Sequence, residues 1–331
     1  MAKPDLVGSV EWVGGKITKR GVYSNMGIRA YHHPGVCDGV SISSSGLRKI
    51  LIQSPAHFWV TSPLNPERLK DDKPTRPMVL GRAMHHLALG QAMFGDHFIV
   101  APTWTKDAKG VRVPWSLKYK AAQEWFAENQ NEFTDVIFPD EINKLNGMAR
   151  ALNAHPFVQN GALNGYVERS GFIRDEETNV WVKIRPDAVP TQSGDFVDLK
   201  VTHSVQHHML VRTIAEHGYA QQFALMRKVF RELRIPFHSS TLIFVEAEPP
   251  HCVRVVSIAD DDLDRGERAN RLALRRFAEC WKRWQETKDD FVWWGPGGDR
   301  PDAEVIHMPD WQTKQLENRL KQFEQEEQAY A

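Results

Sequence analysis

Between Gly165 and Lys200 the spacing of apolar residues in this chain changes from helical intervals to strict alternation. Alternation puts every second side chain on the same face of a strand, so this stretch reads as successive strands of a sheet. Three strands are predicted, at 166–173, 180–189 and 195–201, with turn signals at 175–179 and 190–194. Outside this block the pattern is helical. Leu80, Ala83, Met84, Leu87 and Ala88 form one buried stripe, and further helices are expected over 45–60, 117–130, 140–154, 203–215, 217–234 and 260–286. Ser44 or Ser45 is the expected N-cap of the first. Two more strands are expected near 238–247 and 251–257, and residues 61–77 and 101–116 read as loops. This order of elements predicts an α/β fold with a central mixed sheet flanked by helices. Three segments are expected: an irregular N-terminal leader over 1–40, one large domain over 41–311, and a polar helical C-terminal tail over 312–331.

Charge counts mildly against a simple nucleic-acid coat, because 42 basic residues are balanced by 42 acidic ones. Local basic surfaces remain possible. Lys106, Lys109, Arg112, Lys118 and Lys120 are interleaved with Trp104, Trp115 and Tyr119, and a second run extends from Arg265 to Arg283. Each run is as consistent with a solvated face as with contact to a polyanion. No segment has the apolar length of a membrane span and the N-terminus has no secretion pattern, so a cytoplasmic location with no membrane partner is expected. The three cysteines, Cys37, Cys252 and Cys280, form neither a disulfide framework nor a C-x-x-C site. Gly14-Gly15-Lys16-Ile17 lacks the spacing and the hydroxyl of a phosphate-binding loop. His203 and His207 share a helix face, but no third ligand accompanies them.

The chemistry is concentrated in Arg185-Pro186-Asp187 and Asp198-Leu199-Lys200. On a strand, Asp198 and Lys200 point one way and Val197, Leu199 and Val201 the other, and Asp187 shares a face with Lys183 and Arg185. A hairpin turning at 190–194 would bring Asp187 beside Asp198. Two carboxylates held together repel unless a cation lies between them, and a hard ion such as Mg²⁺ suits oxygen donors. A neighbouring lysine could then orient or deprotonate a water, or steady charge on a phosphate. A surface hairpin with an incidental salt bridge would give the same spacing. Three further residues could line the same cleft: His85 at the edge of the buried stripe, Glu168 on the first strand, and Gln222. The last lies within an apolar helix face made by Tyr219, Phe223, Met226, Phe230 and Leu233, where a buried amide needs a polar partner.

The set Gly81-x-x-x-His85, Glu168, Asp187, Asp198-Leu199-Lys200 and Gln222 resembles the RecB-like branch of the PD-(D/E)XK nucleases. Ile42-Ser43-Ser44-Ser45-Gly46-Leu47, Ser54-Pro55-Ala56-His57-Phe58-Trp59 and Leu80-Gly81-Arg82-Ala83-Met84-His85 are similar, in order, to early motifs of RecE-type exonucleases (exonuclease VIII) of phages and prophages. Met308-Pro309-Asp310-Trp311 is similar to that family's closing motif, so the resemblance spans about 30–311. It departs at Met226, where the pattern Q-x-x-x-Y has tyrosine.

The resemblance implies a PD-(D/E)XK fold and a metal site with His85, Asp187, Asp198 and the Leu199 carbonyl as ligands. The ion would be Mg²⁺, with Mn²⁺ able to substitute. Lys200 would serve the attacking water, and Glu168 and Gln222 would support metal, water or DNA. It further implies 5′→3′ digestion of linear double-stranded DNA to leave 3′ tails for recombination, a single-strand annealing protein as partner, and a homo-oligomer. Arg185, Ser43 and Ser45 are candidates for holding a 5′-phosphate, since a guanidinium fork and a helix start both favour anions. The competing expectations are an endonuclease or flap-repair nuclease of the same fold, and a non-catalytic DNA-binding recombination scaffold.

Overall fold

The computed structural model describes residues 7–69, 74–90, 94–131, 134–167, 169–190, 193–296, 298 and 303–330. In chain order its principal elements begin with strands β1 (Ser9–Glu11), β2 (Gly21–Ser24) and β3 (Ser41–Ser43), then helices α1 (Ser44–Ile52), α2 (Arg76–Leu89) and α3 (Pro139–Ala154). Strands β4 (Ser170–Arg174), β5 (Trp181–Ile184) and β6 (Asp195–Thr202) follow, then helices α4 (His207–His217) and α5 (Tyr219–Glu232). Strands β7 (Ser239–Glu246) and β8 (Val253–Ser257) and helices α6 (Asp260–Thr287) and α7 (Asp310–Tyr330) complete the series. The chain divides into two units, Met1–Trp293 and Trp294–Ala331. The second contains α7, whose Trp311, Leu316, Leu320 and Phe323 are exposed. No described helix is long and apolar enough to cross a membrane.

The expected mixed α/β fold with flanking helices is present, but its strands form two main ladders. One runs β1-β2-β4-β5-β3, with β4–β5 the expected antiparallel hairpin and β3 parallel to β5. The other runs β6-β7-β8, with β6 parallel to β7 and β8 antiparallel. Helices α2 and α3 cover β6 and β7 through Leu80, Met84, Leu145 and Met148, which pack on Val197, Leu199, Ile243 and Val245. Helix α5 lies on β4 and β5, with α6 packed against α5.

Three expectations are corrected. Residues 1–40 are not an irregular leader over their described part: β1 and β2 extend the sheet, and Tyr23, Met26, Tyr31, Val36 and Cys37 build a core around Phe172 and Trp181. The short, turn-broken segments hid a periodicity that only the sheet completes. The single helix over 45–60 is two, because Pro55 has no N–H to continue the first; it sits instead at the start of Pro55–Thr61, which Ser54 caps by accepting from His57 N at 3.2 Å. The hairpin joining residues 180–201 does not form either. Pro186 interrupts the ladder after Ile184, the fragment Ala188–Val189 pairs with Tyr166–Val167, and β6 pairs with β7.

The β4–β5 turn is tied to α6 by an ion pair. Asp175, 2% exposed, accepts from Arg271 Nη1 and Nη2 at 2.9 and 2.8 Å, and from Thr178 N and Oγ1 at 3.1 and 2.8 Å. Burial alone would raise its pKa, but the Arg271 and Thr178 hydrogen bonds hold it at about 2. A depressed folded-state pKa stabilises the fold above the unfolded value and loses that contribution as pH falls toward the folded one, so Asp175 contributes about 2 kcal/mol at neutral pH. Chemical denaturation of Asp175→Asn at pH 7 is expected to show a loss of at least that size. The difference from the parent should shrink between about pH 4 and pH 2; a pH-independent difference would refute the ion-pair account.

Candidate active site

Site residues converge where the two ladders meet. The backbone released after Pro186 turns the Asp187 side chain toward β6, where its Oδ2 accepts the Leu199 N–H at 3.0 Å. One carboxylate thus does at this seam what a ladder hydrogen bond would do elsewhere. On β6 the predicted alternation is observed: Val197 and Leu199 enter the core, and Asp198 and Lys200 line a cleft together with Asp187, Arg185, Gln222 and Met226. The cleft has a volume of about 300 Å³, and its other wall is the start of α1, with Ser43, Ser45 and Arg48.

His85 on α2 bridges the same seam. Its Nε2 lies 2.7 Å from the Leu199 carbonyl oxygen and its Nδ1 lies 3.4 Å from Asp187 Oδ1. Lys200 forms an ion pair with Asp198 Oδ2, and Gln222 Nε2 donates to Asp198 Oδ1 at 3.3 Å. Burial opposes the charge of both acids, with opposite results. Around Asp187, His85, Lys200 and the Leu199 N–H outweigh burial and pull its pKa below the usual carboxylate range. Burial and then the Asp187 charge push Asp198 up, to about 6. His85, despite burial, is raised by Asp187, and Lys200 is raised by Asp198 and Asp187.

Among the described residues no three His, Cys, Asp or Glu side chains converge as a ready-made metal cage. The donors nevertheless fit a hard cation in type: two carboxylates, a backbone carbonyl and an imidazole around one seam. Within the protein these oxygen atoms meet Lys200, which pairs with Asp198, and His85, which lies against Asp187 and the Leu199 carbonyl.

Of the predicted residues, the structure brings together His85, Asp187, Asp198, Leu199, Lys200 and Gln222. Glu168 lies outside the described residues. Arg185 lines the cleft, but its Nη1 also donates to Met26 O and Ser170 Oγ, both at 2.8 Å, which joins the N-terminal segment to β4. Lys183 leaves this group, lining a neighbouring cavity and donating to Tyr31 O at 2.7 Å. The helix starts one residue earlier than expected, with Ser43 at the N-cap, yet its hydroxyl makes no capping bond. Ser43 Oγ lies instead 3.0 Å from Ser45 Oγ at the cleft wall.

Sequence reasoning missed Arg48 and Tyr219. Arg48 Nη1 donates to His217 O at 2.6 Å and to Gln222 Oε1 at 3.4 Å, so it fixes the amide that holds Asp198. Its position one turn beyond Ser44 and Ser45 was the available signal. The contact depends on Gly218, which ends α4 at φ 61°, where an added Cβ would lie 3.1 Å from Arg48 Cδ. Tyr219 places its ring 5.2 Å from Lys200 Nζ, so an aromatic ring meets the lysine although position 226 is methionine.

A family model for a PDDEXK-like domain of unknown function (DUF3799) matches residues 43–289. The chain belongs to this PDDEXK-like family. The match takes in every site residue above, from Ser43 to Gln222. Among solved structures, the crystal structure of a "putative exonuclease" from Eubacterium rectale superposes with a TM-score of 0.51, covering 81% of this chain and 90% of that one at 13% identity. At that identity the likeness is one of fold. A search of curated proteins found no match. The family places the chain in the PD-(D/E)XK nuclease superfamily, whose fold the two mixed ladders and their helices form.

The unequal settings of the two acids give a stability test in chelator at pH 8. Asp187→Ala strands the buried Leu199 N–H and is expected to cost about 1–3 kcal/mol. Asp198→Asn removes one of two repelling charges and is expected to leave the metal-free fold at least as stable as the parent. Equal destabilisation by both substitutions would show that the acids are not in conflict.

Proposed function

We propose that this chain is a Mg²⁺-dependent exodeoxyribonuclease that degrades linear double-stranded DNA from 5′ ends and leaves 3′ single-stranded tails for annealing. The observation that carries this reading is the pairing of Asp187 and Asp198 about the Leu199 backbone, with Lys200 on the same face and in the same cleft. The RecE-type motifs at 42–47, 54–59, 80–85 and 308–311 support the exonucleolytic polarity, the annealing partner and assembly as a homo-oligomer.

Asp187, Asp198 and the Leu199 carbonyl, with His85, would hold the ion. Bound there, Mg²⁺ supplies charge for the scissile phosphate and acidity for a water. The chain's residues do the rest. Lys200 extends from the Asp198 strand into the cleft, where its N–H groups would orient the water. As that oxygen bonds phosphorus and the phosphodiester P–O bond breaks, the water gives up a proton to solvent and the departing oxygen takes one from solvent. Gln222, held by Arg48, fixes the Asp198 carboxylate, and Tyr219 limits where Lys200 can swing. Arg185, Ser43 and Ser45 line the same cleft and would meet the terminal 5′-phosphate, with Glu168 as a further support for metal or water.

Digestion in Mg²⁺ of linear and covalently closed duplexes tests the reading. Nucleotide release is expected from linear DNA alone, faster with a 5′-phosphate than with a 5′-hydroxyl. Cutting of closed circles would assign the site to an endonuclease. In the same assay Asp198→Ala is expected to abolish release. Lys200→Ala should lower turnover by roughly 100-fold or more while changing DNA affinity little, because its contact matters most in the transition state. Parental turnover in a folded Lys200→Ala protein would remove the lysine from the mechanism.

A further inference from the structure

Residues 104–114, read from sequence as part of a loop, form an antiparallel ribbon in which Trp104–Lys106 pairs with Arg112–Pro114. Trp104 lies opposite Pro114, and Lys106 lies opposite Arg112. Alternation puts these four side chains on one face, and all four are exposed, whereas Thr105 and Val113 behind them are half-buried. Like charges directly opposite one another weaken a strand pair, and a two-stranded ribbon has little other stabilisation.

No acid in the ribbon pairs with these cations. Its acid, Asp107, organises the turn: the Oδ1 atom accepts from Lys109 N and Val111 N, both at 2.9 Å. Lys106, Lys109, Arg112 and nearby Lys118 form no ion pair among the described residues, in contrast to Lys120, which meets Glu124. The Arg112 guanidinium lies 4.9 Å from the Trp104 ring centroid, so cation and aromatic surface are presented together. The base is anchored: Trp115 donates its backbone N–H to Thr103 O at 3.0 Å and packs edge-on against Trp125 of the following helix.

We propose that this ribbon is a nucleic-acid grip, with Lys106, Lys109 and Arg112 on backbone phosphates and Trp104 against an unpaired base. Clustered cations beside an exposed aromatic ring fit a polyanion with flat bases better than an acidic protein surface. In a chain of zero net charge, such a local surface would supply affinity that overall charge does not. The proposal rests on the nuclease reading but uses no residue of the catalytic cleft.

The test is fluorescence anisotropy with the full chain in chelator, on a short labelled duplex and a labelled single strand, over a series of KCl concentrations. Lys106→Ala/Arg112→Ala is compared with Arg265→Ala/Arg268→Ala, which removes the same charge from α6. The ribbon variant is expected to bind the duplex roughly tenfold or more weakly and to lower the slope of log affinity against log salt by about 2. Trp104→Ala should weaken single-strand binding by roughly fivefold or more. Hydrolysis at saturating DNA in Mg²⁺ should stay at the parental rate in both. Should the double variant not fold, Lys109→Ala at the turn replaces it, with a slope change of about 1. Parental affinity and slope in the ribbon variant, an equal loss in the α6 control, or competition by polyglutamate as strong as by DNA would each overturn the grip. If the parent neither binds nor cuts DNA, the nuclease reading itself fails, which is a different result from a parent that binds and a ribbon variant that binds equally well.

Discussion

A hydrogen bond from Leu199 N to the Asp187 carboxylate joins the two halves of the site directly, and His85 spans the same seam. Strand edges normally join through backbone pairs, and a proline at the edge forbids that. Here Pro186 ends one ladder, and the next residue supplies a side-chain oxygen to the neighbouring strand in place of a backbone one. The seam therefore contains a charged atom at the point where His85 and the Leu199 carbonyl also arrive. Structure and chemistry share one carboxylate.

The rest of the arrangement follows from placing charge at a buried seam. Asp187 is comfortable as an anion because His85, Lys200 and a backbone N–H surround it. Asp198, beside that anion and only 2% exposed, is not, and relies on Lys200 and Gln222 for its partners. Lys200 and His85 therefore lie close to oxygen atoms suited to a metal. Burial makes each of these interactions stronger than it would be at the surface. Arg48 and Gly218 extend the same logic outward, because a fixed Gln222 amide keeps the Asp198 carboxylate oriented.

The first unit reaches this geometry by packing on both sides of the seam. Helices α2 and α3 bury the apolar face of β6, which leaves Asp198 and Lys200 on the cleft side. Helix α5 covers the other ladder, and α6 fits closely on it: a Cβ at Gly266 would lie 2.8 Å from Ala224 Cβ and 2.9 Å from Ala220 O. The N-terminal strands finish the first ladder, and the Arg185 contacts to Met26 and Ser170 show why that segment matters to the cleft. Loss of those strands would expose the β4 edge, where Ser170 meets Arg185.

Much of the site was legible because its signals are local. Alternation along 195–201 sorted Asp198 and Lys200 from Val197 and Leu199, and a glutamine inside an apolar helix face announced a buried polar partner. Those inferences depend only on strand and helix periods, which any short segment expresses by itself. Choice of strand partner is different. Sequence favoured a hairpin between 180–189 and 195–201, whereas the folded chain pairs β6 with β7, more than forty residues away, in parallel. Parallel pairing is decided by which face α2 and α3 can cover, a property of the assembled layers. The same is true of Arg48, which meets Gln222 only when α1 and α5 lie together, and of the N-terminal strands, whose alternation is too short to read without neighbours. The sequence by itself determined the residue types and, within an unbroken strand such as β6, the face each one takes. Tertiary packing decided which faces meet, because the free energy of burial belongs to the contact between elements and not to either one alone.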